Sequence, residues 1–378
     1  MTIKPNPYVY PYIPFADLSQ KELRSNFTKK VIITDTDLKE RVSGTKSPQP
    51  NLEGSTAAEQ ILSIFQDENY RFGPREFIAE NHDLWIKKLS YFIEINLPIE
   101  FTILGFPFKM PVSLKTNRTL PDMGETLSLL RLYHISKHIQ TIYKPGAIIH
   151  VFTEGAFGNF SGVSKVEWVS YREYLKTLVA LFGWNTLQIH DLSDMEQSVG
   201  NFNDLYENRI VEFERLYNEK NPEFMKRFDG AYPSIVKIVS TRKYSDTVLM
   251  DVYNDALTDE DVSDEVVAIR REIENSAISG IPKYFAYLAV RDDLNYLETV
   301  VPHYIPLTVS PKPNRLGIIP VNEHCQRLPY HGVVVRHPDS TYTIEYLIDI
   351  KRDGKTYTPV YITTDSEDKP FYYQQYDE

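Results

Sequence analysis

The sequence has very little cysteine, since Cys325 is the only one among 378 residues. A single thiol cannot form an intramolecular disulfide, and it cannot supply a cysteine-rich zinc or iron–sulfur site. The composition therefore suits a reducing compartment, and the stability of the fold has to come from its core.

Long hydrophobic runs are missing as well. No apolar stretch approaches the roughly 18 residues of a membrane span, and residues 1–23 carry prolines where a signal peptide needs an uninterrupted apolar core. Positive charge is in the minority, because 41 Lys and Arg face 52 Asp and Glu, for a net charge of −11. This balance disfavours nonspecific binding to nucleic acids or anionic membranes. We therefore predict a cytoplasmic protein with neither kind of partner.

Motifs for nucleotide, metal and hydrolase chemistry are also absent. The sequence contains no Walker A lysine motif, no G-x-G-x-x-G after a predicted strand, no H-E-x-x-H and no G-x-S-x-G. His324, Cys325 and His331 lie within eight residues of one another, but their spacing fits no familiar zinc pattern. We predict no metal and no bound cofactor, with structural or surface roles for these residues.

What the chain does contain is an alternation of apolar β-rich stretches and amphipathic helical stretches. Capping patterns such as Thr56 with Glu59 mark some of the helix starts. The predicted helices cover residues 56–68, 74–96, 122–142 and 166–182, and the predicted strands cover 99–108, 147–153 and 186–192. This order predicts an α/β fold with a mainly parallel, Rossmann-like sheet flanked by helices.

The flanking regions have a different character. Residues 1–54 read as an extended, Pro-rich N-terminal segment, followed by one α/β domain over 55–362. Within it, residues from 193 to about 300 form a helical insertion, with helices expected near 203–219 and 264–276, and the remainder is β-rich. Short strands are expected at 304–309, 316–320, 332–336, 342–350 and 356–362. The tail 363–378 is acidic, and both a docked and a frayed tail fit its composition.

The segment Gly105–Glu125 is the most informative for function. It leaves a predicted buried strand, crosses a loop carrying Lys109, Lys115 and Arg118, and enters a helix. Ligands of open α/β sheets bind where strands end in this way. No acidic residue occurs between Phe101 and Pro121, so the three cations suit a phosphate or carboxylate. The alternative is a solvated loop whose cations pair with acids elsewhere in the fold.

This segment resembles the signature of the isocyanide (isonitrile) synthase family of pyoverdine and dityrosine biosynthesis proteins, which typically reads FPxKSPNxxKVLGxLPDxxE. The matching positions are in register without a gap: Phe106-Pro107-Phe108-Lys109, Pro111, Lys115, Leu120-Pro121-Asp122 and Glu125. Tyr143-Lys144-Pro145-Gly146-Ala147 resembles the family's Y-x-P-G-A, and Leu307 to Ile318 is weakly similar to its RLSxHP…KxGI. The resemblance extends over about residues 56–335.

The resemblance implies a reaction in specialised metabolism. In this family the amino nitrogen of an amino acid acquires its isocyanide carbon from the ketone carbon of ribulose 5-phosphate, without a metal or redox cofactor. An iron- and 2-oxoglutarate-dependent oxygenase often accompanies such enzymes, so functional pairing with one is expected by analogy. Condensing an amine with a ketone requires proton transfer and an anchor for the phosphate.

Roles for individual residues follow from the resemblance. Glu154 is the first choice of general base, and Lys109 and Lys115 could bind phosphate or polarise the ketone, with Arg118 as a further anion contact. Asp122 and Glu125 are assigned either a catalytic duty or the cap of a helix. The remaining substrate-contacting positions are Phe157 and Asn159, of which Phe157 suits a core role better than a substrate contact.

Several probable pocket positions depart from the family pattern. The chain has Thr153-Glu154-Gly155 where the family usually has Ser-Asp-Gly, and Asn159 where it has Asp. Pro306 and Ser310 replace an Arg and a His. These changes leave two alternatives open: a diverged member that catalyses another condensation or a formyl-type modification of an amino acid, and a noncatalytic binding protein with the same fold.

Overall fold

The computed structural model describes residues 25–244, 248, 263–310, 312–323, 325 and 327–376. In chain order its helices are α1 (Asp35–Ser43), α2 (Ala57–Gln66), α3 (Glu76–Ala79), α4 (His82–Glu94), α5 (Met123–Ile142), α6 (Lys165–Phe182), α7 (Asp194–Ser198), α8 (Phe202–Asn218), α9 (Pro222–Lys243), α10 (Asp264–Asp293), α11 (Tyr296–Val300) and α12 (Leu347–Arg352), with 3₁₀ turns at Gly155–Phe160 and Pro329–His331. The strands are β1 (Asn26–Phe27), β2 (Val31–Ile33), β3 (Ile99–Gly105), β4 (Ala147–Thr153), β5 (Leu187–Asp191), β6 (Ile305–Thr308), β7 (Leu316–Gly317), β8 (Val333–Arg336), β9 (Tyr342–Glu345), β10 (Thr356–Ile362) and β11 (Tyr372–Gln375).

A five-stranded parallel sheet positions the candidate site. Its order is β5-β4-β3-β6-β7, and every neighbouring pair is parallel. Gly105 of β3 lies opposite Thr153 of β4, and Thr153 lies opposite Asp191 of β5. The carboxyl ends of these strands therefore meet at one edge, and the predicted α/β fold with a mainly parallel sheet is confirmed.

A second, mixed sheet is built from both ends of the described chain. Its order is β1-β10-β11-β8-β9, with β2 also paired to β10. The prediction that residues 1–54 are extended is wrong for Asp35–Ser43, which form helix α1, whereas β2 in the same segment is extended and pairs with β10. A capping box of Thr34 and Asp37 starts α1, and its Leu38 and Val42 are buried one turn apart. At the other end β11 pairs with β10 and β8, so the tail is docked.

Helix α5 lies between the two sheets and is buried on nearly all sides, with Met123, Leu127, Ile135 and Ile139 among its buried residues. A helix surrounded by core in this way carries apolar residues around its whole circumference. The same core joins Ile103 and Val151 of the parallel sheet to Val334 and Val360 of the mixed sheet. The two sheets therefore share one core through α5.

Some predicted elements differ in extent. The predicted helix 74–96 is interrupted near Asn81 and forms α3 and α4, while the helix expected at 264–276 continues to Asp293 through Pro282. The predicted strand 342–350 is strand β9 followed by helix α12. Gly280 allows α10 to approach the 3₁₀ turn, since a Cβ there would lie 2.5 Å from the Phe160 carbonyl oxygen.

No helix within the described ranges is long and apolar enough to cross a membrane.

Candidate active site

The carboxyl edge of the parallel sheet places Glu154 directly after β4. The Glu154 backbone N–H donates to the Gly105 carbonyl oxygen at the end of β3, at 3.3 Å. The following 3₁₀ turn is held close to its neighbours, because a Cβ on Gly155 would meet the Trp168 ring at 2.9 Å and the Pro107 carbonyl at 3.1 Å. Packing of this kind fixes the backbone from which the Glu154 side chain extends.

The Glu154 carboxylate lies at this edge in a partly buried and positively charged environment. Glu154 is partly buried, and burial raises the pKa of its carboxyl above the ordinary glutamate value, while the positive charges of Arg291, Arg315 and Lys312 oppose that rise. No hydrogen bond or ion pair to this carboxylate exists within the described chain. A carboxylate with a raised pKa and no fixed partner is suited to accept and return a proton.

Three cations, here called the edge cations, act electrostatically on this carboxylate from two separate parts of the chain. Arg291 lies in the last turn of α10, whereas Lys312 and Arg315 lie in the loop between β6 and β7. Arg291 is buried and donates from Nε and one terminal nitrogen to Asp292 at 2.8 and 2.7 Å. Lys312 is exposed and Arg315 partly buried, and neither side chain has a hydrogen bond or ion pair to a described residue. The edge therefore offers positive charge to an anionic group.

Aromatic side chains line the same space and are called the aromatic wall: Phe157, Tyr284 and Tyr330. The Phe157 and Tyr284 rings meet edge to face, with centroids 4.7 Å apart. Tyr284 precedes Arg291 by two helical turns, so both project from one face of α10. Burial and the negative charge of Glu154 raise the pKa of Tyr284 to about 12. The hydroxyls of Tyr284 and Tyr330 make no hydrogen bond to any described residue, so both remain free to donate.

A narrow apolar crevice opens beside this wall, lined among others by Gly105, Phe106, Val309, Pro329 and Tyr330. Phe106 adopts a positive φ of 51°, a conformation that non-glycine residues rarely occupy. This backbone turns the chain out of β3 and ends the strand at Gly105, before the predicted limit at residue 108. Strained backbone at a strand exit is a frequent feature of functional sites.

Lys109, predicted to bind phosphate, is instead enclosed by acids. The ammonium nitrogen lies 2.7 Å from Asp122 Oδ2 and 3.0 Å from Glu125 Oε2, and it donates to the Pro329 carbonyl at 3.0 Å. All three charged side chains are buried. The expectation of cations without countercharge is therefore wrong for Lys109, because Asp122 and Glu125 at the start of the next helix place two carboxylates beside its ammonium group.

Asp122 and Glu125 form the cap of α5, one of the two roles assigned to them. The Asp122 side chain accepts from the Gly124 N–H at 2.7 Å, and Glu125 accepts from the Asp122 N–H at 2.8 Å. Tyr171 also donates to Glu125, at 3.0 Å. Burial raises the pKa of Asp122 to about 7 against the pull of Lys109. Burial also acts to raise the pKa of Glu125, but Lys109 and the Asp122 N–H outweigh it and lower that pKa. Lys109, Asp122, Glu125 and Tyr171 thus form a closed network.

Arg118 is likewise neutralised, by the C-terminal tail. Its guanidinium donates to Asp365 at 2.7 Å and to the Lys369 and Pro121 carbonyls at 3.1 Å, and Glu367 lies 3.6 Å away. Arg118 is buried. The predicted anion contact at Arg118 is therefore occupied by the protein's own carboxylates.

Lys115 is the loop cation that keeps no acidic partner within the described residues. Its ammonium lies 4.6 Å from the centroid of the Tyr346 ring, and burial together with the positive charge of Arg327 lowers its pKa. The Lys115 charge also acts on His331, whose pKa is lowered to about 4, mainly by burial. Lys115 therefore stays available to an anion, on a different loop from Lys312 and Arg315.

Of the remaining predicted positions, some lie at the candidate site and others do not. Phe157 belongs to the aromatic wall, whereas Asn159 accepts a hydrogen bond from Trp168 Nε1 at 3.1 Å and is mainly exposed. His324 lies outside the described residues, and Cys325 is buried with its sulfur accepting from the Ile344 N–H at 3.2 Å. The described part of the chain contains no cluster of three or more His, Cys, Asp or Glu side chains suited to a metal ion.

Sequence reasoning missed the edge cations and both tyrosines of the aromatic wall. One signal was present, because Arg315 stands where the family's K-x-G-I pattern has its lysine. The sequence around the other residues contains no local pattern that points to the site. Arg291 and Tyr284 come from the helical insertion, and only the packing of α10 over the sheet edge brings them to Glu154.

Comparisons with known proteins agree with this architecture. A family model described as "Pyoverdine/dityrosine biosynthesis protein" matches residues 89–357. An L-tyrosine isonitrile synthase of Pseudomonas aeruginosa is 27% identical over 267 residues, which cover 67% of this chain and 74% of the relative. An L-tryptophan isonitrile synthase, AmbI2 of Fischerella ambigua, is 33% identical over 111 residues, 29% of this chain and 34% of the relative. The crystal structure of the PvcA protein from Pseudomonas aeruginosa superposes with a TM-score of 0.62 at 22% identity, covering 83% of this chain and 99% of that one.

Proposed function

The chain belongs to the family of pyoverdine/dityrosine biosynthesis proteins, and from this premise we propose that it is an isonitrile synthase. In the proposed reaction the amino nitrogen of an amino acid becomes the nitrogen of an isocyanide, and ribulose 5-phosphate supplies the carbon. The predicted family resemblance is confirmed by the family match, whereas the substrates belong to the proposal.

One observation carries the assignment of the site: the Glu154 carboxylate has no hydrogen bond or ion pair to a described residue, and three cations act on it electrostatically. In the proposed reaction its carboxylate removes the proton that the amine loses on attacking the ketone. The edge cations hold the phosphate, since guanidinium and ammonium groups bind phosphate through charge-assisted hydrogen bonds. This assignment moves the phosphate from the loop cations predicted by sequence to Arg291, Lys312 and Arg315.

The aromatic wall suggests the class of amino acid. The relatives named above act, by their names, on L-tyrosine and L-tryptophan. Phe157 and Tyr284 meet edge to face beside Glu154, and aromatic rings favour this arrangement with one another. We expect an L-amino acid with an aromatic side chain to stack against this wall while its amine lies at Glu154.

The other expectations for the protein stay part of the proposal. They are a cytoplasmic location, function without a metal or redox cofactor, and pairing with an iron- and 2-oxoglutarate-dependent oxygenase. Elemental analysis and an absorbance spectrum of the purified protein test the second of these. Stoichiometric zinc, iron, flavin or nicotinamide would contradict it.

The direct test is to incubate the full chain with each L-amino acid and ribulose 5-phosphate. We expect an isocyanide, detected by mass spectrometry and by cycloaddition with a tetrazine, with the highest rates for aromatic amino acids. If ribulose 5-phosphate binds and protects the fold against heat but no amino acid reacts, the diverged reaction replaces this proposal. If neither compound binds, the noncatalytic alternative replaces it.

A further inference from the structure

Tyr330 occupies a short turn that the closed network holds in place. The turn Pro329–His331 lies just before β8. Lys109 donates to the Pro329 carbonyl at 3.0 Å, and the Met110 backbone N–H donates to the Tyr330 carbonyl at 2.9 Å. Two consecutive residues of the loop after β3 thus hold the first two residues of this three-residue turn.

The Tyr330 ring enters the crevice at the carboxyl end of β3. Its centroid lies 6.4 Å from that of Phe106, at an angle of 63°, and Gly105 lines the same crevice. The Gly105 carbonyl accepts the Glu154 backbone N–H, so Tyr330 and Glu154 flank one strand end. The closed network therefore presents Tyr330 to the space in front of Glu154.

The Tyr330 hydroxyl retains its proton in this position. It makes no hydrogen bond to a described residue, and burial, together with the negative charges of Glu154 and Glu125, raises its pKa. Tyr330 is only partly buried, so a ligand or water can reach its hydroxyl and accept a hydrogen bond from it. A substrate oxygen in front of Glu154 would receive this hydrogen bond.

We infer that Tyr330 is a catalytic proton donor in the condensation of the amine with the ketone, and that Lys109 is a positioning residue that acts through the Pro329–His331 turn. This inference rests on the proposed function. It gives a role to the signature lysine, which is buried too deeply in its acidic network to contact a substrate itself.

The step is balanced within the site. Attack of the amine on the ketone leaves a positive charge on nitrogen and a negative charge on oxygen. Glu154 takes one proton from nitrogen and Tyr330 gives its proton to oxygen, which yields the neutral carbinolamine, and the Glu154 proton then passes to the Tyr330 phenolate. In the dehydration the carbon–oxygen bond breaks with its electron pair on oxygen, Tyr330 gives its proton to the departing hydroxyl, which leaves as water, and the nitrogen lone pair forms the carbon–nitrogen double bond. Glu154 takes the second proton from the iminium nitrogen to give the imine and returns it to the Tyr330 phenolate, so both groups regain their starting states without an oxidant or reductant.

The first experiment removes the hydroxyl and keeps the ring. Tyr330→Phe should lower kcat at least 100-fold and leave the KM for ribulose 5-phosphate within about twofold, since a general acid contributes roughly 10²- to 10⁴-fold. Tyr342→Phe is the matched control, because Tyr342 is buried in the mixed sheet, and it should keep the wild-type rate. Full activity of Tyr330→Phe would overturn the inference while leaving the proposed function intact.

The second experiment separates proton donation from structural support. Fluorotyrosine incorporated at position 330 of the full chain lowers the phenol pKa without changing the ring's shape, so a proton donor should give a kcat that varies with the degree of fluorination. A rate independent of fluorination would contradict proton donation.

For the positioning role of Lys109, Lys109→Gln should lower kcat and shift the ¹⁹F resonance of residue 330. Tyr171→Phe removes only one hydroxyl of the network, so it should lower kcat and shift the resonance to a smaller degree. It replaces Lys109→Gln in this experiment if Lys109→Gln does not fold.

The ¹⁹F resonance also decides the inference independently of turnover. If the wild-type chain forms no isocyanide, the proposed function fails, and the inference is then judged by binding. It stands as a substrate contact if ribulose 5-phosphate shifts the resonance and Glu154→Gln changes its dependence on pH. It is overturned if neither change occurs.

Discussion

The loop Gly105–Glu125 and the carboxyl edge around Glu154 are both rich in charged side chains, but they use them differently. In the loop, Lys109 contacts two carboxylates and a carbonyl, and Arg118 contacts Asp365 and carbonyl oxygens. At the edge, the side chains of Glu154 and Arg315 have no hydrogen bond or ion pair to any described residue. The signature lysine Lys109 is thus neutralised and buried, whereas no described residue satisfies the charged side chains of Glu154 and Arg315.

The physical reason for this difference is the cost of burying charge. An ion moved into the protein interior loses several kcal/mol of hydration unless partners replace the water. Lys109, Asp122 and Glu125 are nearly inaccessible, so they must satisfy one another. Glu154 is only partly buried and Lys312 is exposed, so solvent or a ligand can satisfy them. Substitutions in the loop should therefore affect stability first, and substitutions at the edge should affect activity first.

The largest expected effect is on activity, from Glu154→Gln. The amide keeps the shape of the side chain but cannot accept the amine's proton, so isocyanide formation should fall by about 10²- to 10⁴-fold. The free energy of unfolding should stay near the wild-type value, because the carboxylate has no hydrogen bond or ion pair to a described residue that the substitution would break. Glu154→Asp, which restores the residue usual in the family, should retain activity. Rates of isocyanide formation and urea unfolding curves, measured for both variants, check this prediction. If Glu154→Gln lost as much stability as activity, the difference between the edge and the loop would be contradicted.

The next effect is on stability, from Lys109→Met. Two buried carboxylates lose their cation, so the free energy of unfolding should fall by about 3–5 kcal/mol, as measured in urea. Lys176→Met removes a lysine from an exposed pair with Glu173 and should cost at most about 1 kcal/mol. Adding Glu125→Gln to Lys109→Met should recover part of the loss. Equal stability of Lys109→Met and Lys176→Met would show that the network is not closed.

The smallest effect is on the pH dependence of kcat/KM. The carboxylate form of Glu154 is the active base, so the rate should fall as the pH drops through its pKa. Burial raises this pKa above 4.5, and Lys312 partly opposes the rise. The acid limb should therefore lie above pH 4.5, and Lys312→Met should move it to higher pH, whereas Lys176→Met should leave it in place. An acid limb that moves to lower pH in Lys312→Met would contradict the arrangement of charges at the edge.

Much of the fold could be predicted because its signals are local. The capping box Thr56 to Glu59 and the Asp122 to Glu125 pattern both start helices, and strands β3 to β5 follow from apolar runs. Helix α1 was not predicted, because prolines on both sides of its capping box made the whole segment appear extended.

The site could be predicted only in part, since its contacts are between distant residues. Glu154 could be placed at a strand end from its sequence neighbours. The neutralisation of the loop cations could not be predicted. Arg118 pairs with Asp365, which is 247 residues away in the chain. Asp122 and Glu125 contact Lys109 only when the loop folds over the start of α5. Tyr284 and Arg291 reach Glu154 through the packing of α10, which no local pattern encodes.

The central claim is that the phosphate binds at the edge around Glu154 and not at the signature loop, and calorimetric titration of ribulose 5-phosphate tests it most directly. The informative pair is Arg315→Met and Lys115→Met, since each removes a cation that has no acidic partner among the described residues. We expect Arg315→Met to weaken binding by about 1.5–3 kcal/mol, roughly 10- to 100-fold, the contribution of a hydrogen bond to a charged group. Lys115→Met should change the affinity by less than about twofold. A large loss in Lys115→Met with unchanged affinity in Arg315→Met would contradict the claim and return the phosphate to the loop.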